Sequence, residues 1–272
     1  MSRIFAVASG KGGVGKSVIT ANLAAAVAQG GIRVLIIDAD IGLRSQDALL
    51  SLENRIVYDL VDVSRGECMP DQAILPSELI PSLHLLPAAQ FERVKSLSAD
   101  KFRKILSSLR DRYDFIFIDC PAGIERGFRT VLKAGVDEVL LVVTPDDISV
   151  RSAERAAQVI SEKNGPRPFL IVNRLNSELV RSGEMMSEQV ISQVLDLPLI
   201  GVIPDDPVVC RAQLKHALFI SYDSEARNAV LRISSRIQGV SVPLPANTGR
   251  QKRRFRKLFS RSLKEVSPLD DH

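Results

Sequence analysis

A glycine-rich stretch near the N-terminus constrains the fold more than any other feature of this sequence. Residues 10–17 fit the pattern G-x-x-x-x-G-K-[ST], with a short apolar run over 4–8 before it and an Ala-rich helix predicted over 17–29. A loop between a strand and a helix directs successive backbone N–H groups, and the positive end of the helix dipole, at one point. The stretch therefore predicts a strand–loop–helix unit that binds phosphate; a glycine-rich turn without a ligand is the alternative.

Two side chains of this loop have chemistry of their own. In such a loop the lysine, here Lys16, reaches the β- and γ-phosphates of a nucleotide, and the hydroxyl of Ser17 holds Mg²⁺. The predicted binding residues are the loop and the residue that follows it: Gly10, Lys11, Gly12, Gly13, Val14, Gly15, Lys16, Ser17 and Val18.

Carboxylates follow two further apolar runs. Asp38 and Asp40 come after the run over 34–37, and Asp119 ends the run over 115–119 in a Walker-B pattern. Ligands of open α/β sheets bind outside the carboxyl ends of the strands, so these side chains are candidates for a magnesium site. Asp38 and Asp40 would point to one side if both extended the strand, because they have the same parity. Solvated acids in a turn are the alternative.

Strands and helices alternate along most of the chain. Further strands are predicted over 83–88, 138–145, 169–174 and 199–203, and further helices over 100–112, 149–163 and 224–238. This alternation predicts an α/β fold with a doubly wound, mostly parallel sheet and helices on both faces. We expect one domain over 1–241, a Pro- and Gly-containing linker over 242–249, and a separate tail over 250–272.

The cysteine pattern and the hydropathy exclude several classes of protein. Cys68, Cys120 and Cys210 are isolated, which argues against a disulfide framework and against metal ligation within one chain. We expect Cys120 to be inert packing and His84, which has no second ligand nearby, to be structural. No apolar run approaches the roughly 18 residues of a membrane span. Because the first strand begins within four residues of the N-terminus, no signal peptide is expected, and the protein is predicted to be cytoplasmic.

The C-terminal tail has a charge that the rest of the chain lacks. Residues 250–272 contain eight Lys/Arg and three Asp/Glu, a net charge of +5, which leaves −1 for residues 1–249 out of the total of +4. On a helix, the tail's apolar side chains fall within one stripe of about 140°. Six basic residues lie outside that stripe: Arg253, Arg254, Arg256, Lys257, Arg261 and Lys264. This pattern predicts an amphipathic helix that lies on an anionic membrane, with nucleic-acid binding and a solvated tail as alternatives. The stripe consists of Phe255, Leu258, Phe259, Leu263 and Val266.

Three motifs resemble those of the MinD/ParA family of deviant P-loop ATPases. The loop K-G-G-x-G-K-[ST] has a second lysine, Lys11, at its start. The segments E-N-R-I-V-Y-D-L-V-D-V at 53–63 and D-x-P-A-G-I-E-R-G at 119–127 are similar to the MinD branch of the family. The resemblance extends over the whole predicted domain, and the tail resembles a membrane-targeting sequence.

The resemblance implies roles for individual residues. It implies that Lys11 reaches the phosphates of the second subunit in an ATP-dependent homodimer, that Asp38 binds a Mg²⁺ water, and that Asp40 orients the water that attacks ATP. It also implies an adenine site. That site is formed by the amide of Asn173, which both donates and accepts, by Arg174, and by a turn that contains Pro204 and Asp205.

The resemblance implies partners as well. They are a MinC-type division inhibitor, a MinE-type or equivalent activator, and the inner face of the membrane, to which the ATP-bound form would attach peripherally. A flagellar-number relative of MinD and a ParA-like DNA-segregation ATPase are alternatives, although the body's charge of −1 does not favour nucleic acid. An iron–sulfur carrier would need paired cysteines, which are absent from this sequence.

The sequence departs from the family's pattern at four places. Val18 stands where a second Thr is usual, and Ser45 and Gln46 replace the usual Asn-Leu. Ser152 occupies a position that is commonly acidic, and the usual N-x-G-E-P run is missing around 213–217. ATP hydrolysis is expected to survive these changes. Activation of hydrolysis by a partner is the property that they put in question.

Overall fold

One sheet of eight strands organises the chain in the computed structural model, which describes residues 2–89 and 97–244. The strands are β1 (Arg3–Ala8), β2 (Val34–Asp38), β3 (Leu75–Pro76), β4 (Leu83–Leu86), β5 (Phe115–Asp119), β6 (Glu138–Val143), β7 (Phe169–Leu175) and β8 (Leu199–Pro204). Their order across the sheet is β3-β4-β2-β5-β1-β6-β7-β8. Every neighbouring pair is parallel except β3 with β4.

Helices connect the strands and cover the sheet. Within the described ranges they are α1 (Lys16–Ala28), α2 (Ser45–Leu50), α3 (Leu60–Arg65), α4 (Pro70–Ala73), α5 (Ala99–Leu109), α6 (Arg126–Gly135), α7 (Asp147–Glu162), α8 (Ser177–Ser182), α9 (Glu188–Leu195), α10 (Pro207–Leu214) and α11 (Glu225–Ile237). Two single 3₁₀ turns, Glu53–Arg55 and Phe219–Ser221, lie between them.

The central strands are buried on both faces, which explains why they are apolar without alternation. Along β1, Ile4 and Ala6 pack into the core beneath α5, α6 and α7, whereas Phe5 and Val7 pack into the core beneath α1 and α11. Side chains of a strand point alternately to its two faces, so each central strand contributes to both cores. The sheet therefore separates two helical layers, as expected for a doubly wound fold.

The predicted fold class is confirmed, and the differences have simple causes. Each strand predicted from the sequence is present with its ends shifted by two residues or fewer, and each helix given bounds there by three or fewer. The strand β3 was not predicted, because a two-residue strand that contains Pro76 has neither alternation nor an apolar run. No bounds were predicted for the other seven helices of the described part: α2, α3, α4 and α8 have six residues or fewer, and α6, α9 and α10 have eight to ten.

His84 and Cys120 lie in packed surroundings. The His84 ring contacts the edge of Tyr113 at 5.5 Å between centroids, and burial, followed by the positive charge of Arg112, lowers the pKa of His84. Burial raises the pKa of the Cys120 thiol, which lies in the core. Both environments agree with the structural roles expected for these residues.

The described part of the chain ends with α11 and a short segment that is hydrogen-bonded to this helix. Arg236 on this helix donates hydrogen bonds to the carbonyls of Ile200, Val242 and Pro243 at 2.6–2.9 Å, so the start of the predicted linker lies against the body. The tail over 250–272 and its apolar stripe lie outside the described residues. None of the helices in the described part has the length and apolar character to cross a membrane.

Gly201 in β8 provides a test of the packing between the sheet and α11. A Cβ atom at this position would overlap with the side chain of Ile233, which is buried on α11. We expect Gly201→Ala to lower the free energy of unfolding by about 1–3 kcal/mol, because overpacking displaces a core side chain. Gly30→Ala is the control, since its Cβ would meet nothing closer than 3.7 Å. Urea denaturation measures both, and an unchanged stability in Gly201→Ala would contradict this packing.

Candidate nucleotide site

The carboxyl ends of β1, β2 and β5 meet beside the first turn of α1. The parallel register places Asp119 of β5 beside Val7 of β1 on one side and beside Asp38 of β2 on the other. The loop over 9–15 leaves β1 at this edge and enters α1 at Lys16. Topology alone thus brings the predicted phosphate-binding loop and two of the three predicted carboxylates to one place.

The predicted phosphate-binding loop passes very close to the backbone of α7. A Cβ atom at Gly10 would overlap with the backbone carbonyl of Ser152 on α7, so this position accommodates only glycine without a shift of the backbone. Gly13 and Gly15 have φ angles of 81° and 91°. Gly123, in the loop after β5, donates its N–H to the carbonyl of Ser9 at 3.0 Å. The loop is therefore held by two neighbouring elements.

Lys16 is a buried cation within a group of carboxylates. Its side chain is 6% exposed, and its Nζ forms an ion pair with Asp119, donates to the Ser17 hydroxyl at 3.2 Å and lies 3.8 Å from Asp40 Oδ2. Burial alone would lower the pKa of Lys16, but the charge and hydrogen bond of Asp119 raise it above its ordinary value. The side chain of Lys16 is therefore charged. Its partners Asp119 and Ser17 are predicted to bind the cation, and Asp40 is predicted to orient the attacking water.

Asp38 and Asp40 reach this group differently from the way their parity suggested. The strand β2 ends at Asp38, so Asp40 does not extend it and lies in the turn that follows. The backbone N–H of Asp40 donates to Asp38 Oδ1 at 3.0 Å. This Asx-type turn, rather than strand alternation, directs Asp40 back towards Lys16.

The buried centre has more carboxyl groups than basic groups. Asp38 is 1% exposed and Asp119 is fully buried, and Lys16 is the cation beside them. Burial, followed by the negative charge of Asp119, raises the pKa of Asp38 to about 8. A further cation would favour the ionised form of both adjacent carboxyl groups, because it would compensate the charge that ionisation of Asp38 adds beside the pair of Lys16 and Asp119.

The donor atoms fit Mg²⁺. Ser17 offers a hydroxyl oxygen, and Asp38 and Asp119 offer carboxylate oxygens, which are the hard ligands that this ion prefers. Within residues 2–89 and 97–244, no three His, Cys, Asp or Glu side chains are grouped so that they could hold a metal by themselves. A magnesium ion here would thus complete its shell with phosphate oxygens and water, as this ion usually does.

Lys11 occupies different surroundings from Lys16. Its side chain is 34% exposed, and its Nζ donates to Asp146 Oδ1 at 3.1 Å. Asp146 also accepts the N–H of Ser149 at 2.9 Å and so caps α7. The second lysine of the loop is therefore available at the surface, held by a partner that is itself partly exposed.

A cavity of about 400 Å³ opens beside the loop at the ends of β7 and β8. The amide of Asn173 donates to the carbonyl of Val14 at 2.8 Å and so connects this cavity to the loop. Its size suits the base and ribose of a nucleotide. The lining includes all the residues that the resemblance assigned to the adenine site, together with Val18; it consists of Gly15, Val18, Ile19, Asn173, Arg174, Ile203, Pro204, Asp205, Asp206, Val209, Cys210, Gln213 and Phe219.

Several contacts of the site were not predicted from the sequence. Gln46 and Thr20 both bond the Asp119 carboxylate, at 2.7 and 3.4 Å, and Asp146 pairs with Lys11. Asp206 accepts the N–H groups of Val208 and Ala226, and so joins the starts of α10 and α11 behind the cavity. An N-cap Asp followed by Pro207 is a recognisable helix start, whereas nothing in the sequence indicated the contacts of Gln46.

Comparison with known proteins identifies relatives. The family model for the CobQ/CobB/MinD/ParA nucleotide binding domain matches residues 5–219. The septum site-determining protein MinD of Synechocystis sp. is 42% identical over 245 residues, which cover 89% of this chain and 92% of that protein. The MinC:MinD complex of Aquifex aeolicus superposes with a TM-score of 0.82 at 36% identity, covering 89% of this chain and 98% of the other. MinD of Pyrococcus horikoshii, complexed with Mg-ADP, gives 0.78 at 29% identity, with 87% and 96% covered.

The raised pKa of Asp38 predicts a specific pH dependence of stability. The folded state keeps the Asp38 proton up to about pH 8, whereas the unfolded state releases it near pH 4. Between these values the folded state binds more protons, so the contribution of Asp38 to the free energy of unfolding falls as pH rises, by roughly 1 kcal/mol per unit. We expect the destabilisation caused by Asp38→Asn to shrink from pH 5 to pH 8.

Urea denaturation without nucleotide, in chelator, measures this difference between variant and parent. Asp114→Asn is the matched control: hydrogen bonds from Arg33 lower the pKa of Asp114, so its effect should be constant over the same range. A destabilisation by Asp38→Asn that does not change with pH would contradict the protonated Asp38.

Proposed function

Because the chain belongs to the MinD branch of the CobQ/CobB/MinD/ParA family of nucleotide-binding proteins, we propose that it is a Mg²⁺-dependent ATPase that dimerises with ATP and helps to position the division septum. One observation supports the ATPase most strongly. The buried group of Lys16, Asp40 and Asp119 lies at the start of the phosphate-binding loop, next to a cavity of nucleotide size.

The proposed binding mode follows from the geometry of the site. The base and ribose occupy the cavity, where Asn173 already bonds the loop, and the phosphates accept hydrogen bonds from the loop's N–H groups. Lys16 turns from Asp119 to the β- and γ-phosphates, so its charge remains paired in both states. The cation, held by Ser17 with Asp38 and Asp119, would neutralise charge that develops on the phosphates.

Asp40 is the proposed residue for positioning the attacking water. It is the least buried of the three carboxylates, at 16% exposure of its side chain, and the turn after β2 aims it at Lys16. Burial, opposed by the nearby charge of Lys16, raises the pKa of Asp40 above its ordinary value, which makes the carboxylate a better proton acceptor. We therefore propose that Asp40→Ala binds ATP but hydrolyses it slowly.

Lys11 is the proposed contact to a second subunit. Its ammonium is exposed and bound to an exposed carboxylate, Asp146, so releasing it costs little. In the proposed ATP-bound homodimer Lys11 contacts the phosphates of the partner subunit. This role and the surface position of Lys11 agree, whereas a role in binding the ATP of its own subunit would duplicate that of Lys16.

The tail is the proposed membrane anchor. A net charge of +7 over 250–266 attracts the segment to an anionic leaflet, and the apolar stripe inserts. One such short helix binds weakly, whereas two in one dimer bind well, because the second binds from a high effective concentration. We propose a cytoplasmic protein that attaches peripherally to the inner face of the membrane when it is ATP-bound.

The relatives suggest the partners. The Aquifex aeolicus structure is of a MinC:MinD complex, and we propose a MinC-type division inhibitor as the partner of this chain too. A MinE-type or equivalent activator would stimulate hydrolysis. Pull-down of the intact chain with a MinC-type protein, compared in ATP and ADP, tests the septum role; equal or no capture in the two nucleotides would count against it.

Mutation of Lys11 should affect dimerisation and not ATP binding, unlike mutation of Lys16. In an Asp40→Ala background, which is expected to preserve bound ATP, Lys11→Ala should bind ATP within about threefold of the background but remain monomeric, because only a cross-subunit contact is lost. Light scattering with ATP measures the dimer, and fluorescent-nucleotide titration measures binding. Lys163→Ala, an exposed lysine after α7, is the control. A Lys11→Ala variant that dimerises normally would disprove the cross-subunit role.

The tail should act through its apolar stripe. We expect Phe255→Glu and Phe259→Glu to lower the bound fraction on anionic vesicles at least about tenfold while leaving ATP-dependent dimerisation intact, because the insertion is lost and most of the charge remains. Binding by the parent should weaken with salt and be stronger in ATP than in ADP.

Vesicle sedimentation measures these effects, with Ser260→Glu as a control for the added charge off the stripe. Retained binding of both Phe→Glu variants, or equal binding of the parent to double-stranded DNA, would mean that the tail is an electrostatic arm rather than an anchor.

A further inference from the structure

Gln46 is the least expected side chain of the site. It lies in the first turn of α2, just after the turn that contains Asp40, and it is fully buried. A glutamine is seldom completely buried unless its amide is hydrogen-bonded. A leucine, which is usual at this place in the pattern that the sequence resembles, could make none of the side-chain hydrogen bonds of Gln46.

The amide nitrogen of Gln46 bridges the phosphate-binding loop and β5. Its Nε2 donates to the carbonyl of Ser17 at 3.0 Å and to Asp119 Oδ2 at 2.7 Å. The backbone N–H of the same residue donates to Asp38 Oδ2 at 3.1 Å. Gln46 therefore contacts the three residues that the proposed function assigns to the cation, two of them at their carboxylates.

These contacts fix which way the amide faces. Both N–H groups of Nε2 point at acceptors, a carbonyl and a carboxylate, and a flipped amide would place its oxygen against the same acceptors. Oε1 is consequently held in place by the two hydrogen bonds that Nε2 donates to Ser17 and Asp119. It cannot be satisfied by rotation of its own side chain.

Oε1 has no hydrogen-bond donor within the described residues, although it is buried. The hydroxyl of Ser45, the preceding residue, is likewise buried without a partner in the described ranges. Buried acceptors in native proteins are nearly always satisfied, by protein or by water, since an unmade bond costs the desolvation of the group. The first turn of α2 thus has a buried acceptor of fixed orientation for which residues 2–89 and 97–244 provide no donor.

The polar groups that contact Gln46 limit what that donor is. Asp38 and Asp119 already accept hydrogen bonds from Gln46, and Lys16 Nζ is shared between Asp119 and Ser17. A water molecule bound to a divalent cation is a strong donor, and Mg²⁺ in nucleotide sites keeps several waters. Ligands beyond the first coordination shell orient such waters.

We propose that Gln46 is a positioning residue for the cation: its Oε1 accepts a hydrogen bond from a water of the Mg²⁺ hydration shell while its Nε2 holds Asp119 in orientation. This inference rests on the proposed binding of Mg²⁺ and nucleotide. It assigns to α2 a part in metal affinity that an apolar residue at position 46 could not have.

The test compares ADP binding by the intact chain in Mg²⁺ and in chelator. Gln46→Leu restores the family's usual residue and Gln46→Met keeps the length without hydrogen bonds, so at least one is expected to fold. We expect both to lower the apparent affinity of the ADP complex for Mg²⁺ about tenfold, with ADP affinity in chelator within about twofold of the parent. Titration of Mg²⁺ with a fluorescent ADP analogue measures both quantities. Gln193→Leu, exposed on α9, is the matched control.

The outcomes are distinguishable. Unchanged Mg²⁺ affinity in both Gln46 variants would overturn the inference, and so would an equal loss of ADP affinity in chelator, which would assign Gln46 to the shape of the loop. A parent that binds ADP no better with Mg²⁺ would overturn the proposed cation itself. If neither variant folds, a crystal structure of the parent with Mg-ADP decides: a Mg²⁺-bound water at hydrogen-bond distance from Oε1 supports the proposal, and an Oε1 without one refutes it.

Discussion

The ion pair between Lys16 and Asp119 is the interaction on which the site depends. Removing an ammonium and a carboxylate from water is costly, and an ion pair with further hydrogen bonds is what makes it tolerable. The register of the sheet adds to this cost, because it places Asp38 beside Asp119 with both carboxylates buried. Such a group stabilises the fold poorly by itself, but it is well arranged for phosphates and a cation.

The surrounding elements can be understood as supports for this buried group. Thr20 and Gln46 bond Asp119, the backbone of α2 bonds Asp38, and the turn after β2 returns Asp40 to Lys16. The surface lysine of the same loop, Lys11, takes no part in the group. One loop therefore presents one lysine inwards and one outwards, which matches the proposed division between binding ATP and joining two subunits.

Much of this could be predicted from the sequence, for physical reasons. Strands buried on both faces leave continuous apolar runs in the sequence, and the glycine spacing at 10–17 is compatible with few conformations. The sheet, the loop and the carboxylates at the strand ends could therefore be predicted. The register between β2 and β5 was not, since apolar runs do not specify which residues pair across parallel strands. Gln46 was noticed only as a departure, because a glutamine at the start of a helix usually indicates a solvent-facing position. The pairing of Lys11 with Asp146 depends on a fold contact between residues 135 positions apart.

A double-mutant cycle on Lys16 and Asp119 tests the central claim most directly. The free energy of unfolding would be measured by urea denaturation for the parent, Lys16→Met, Asp119→Asn and the double variant, in chelator and without nucleotide. We predict that each single change costs about 3–5 kcal/mol, because it leaves a buried charge unpaired, and that the double variant is much less destabilised than the sum of the two. Additive single effects, with no coupling between the two residues, would contradict this prediction.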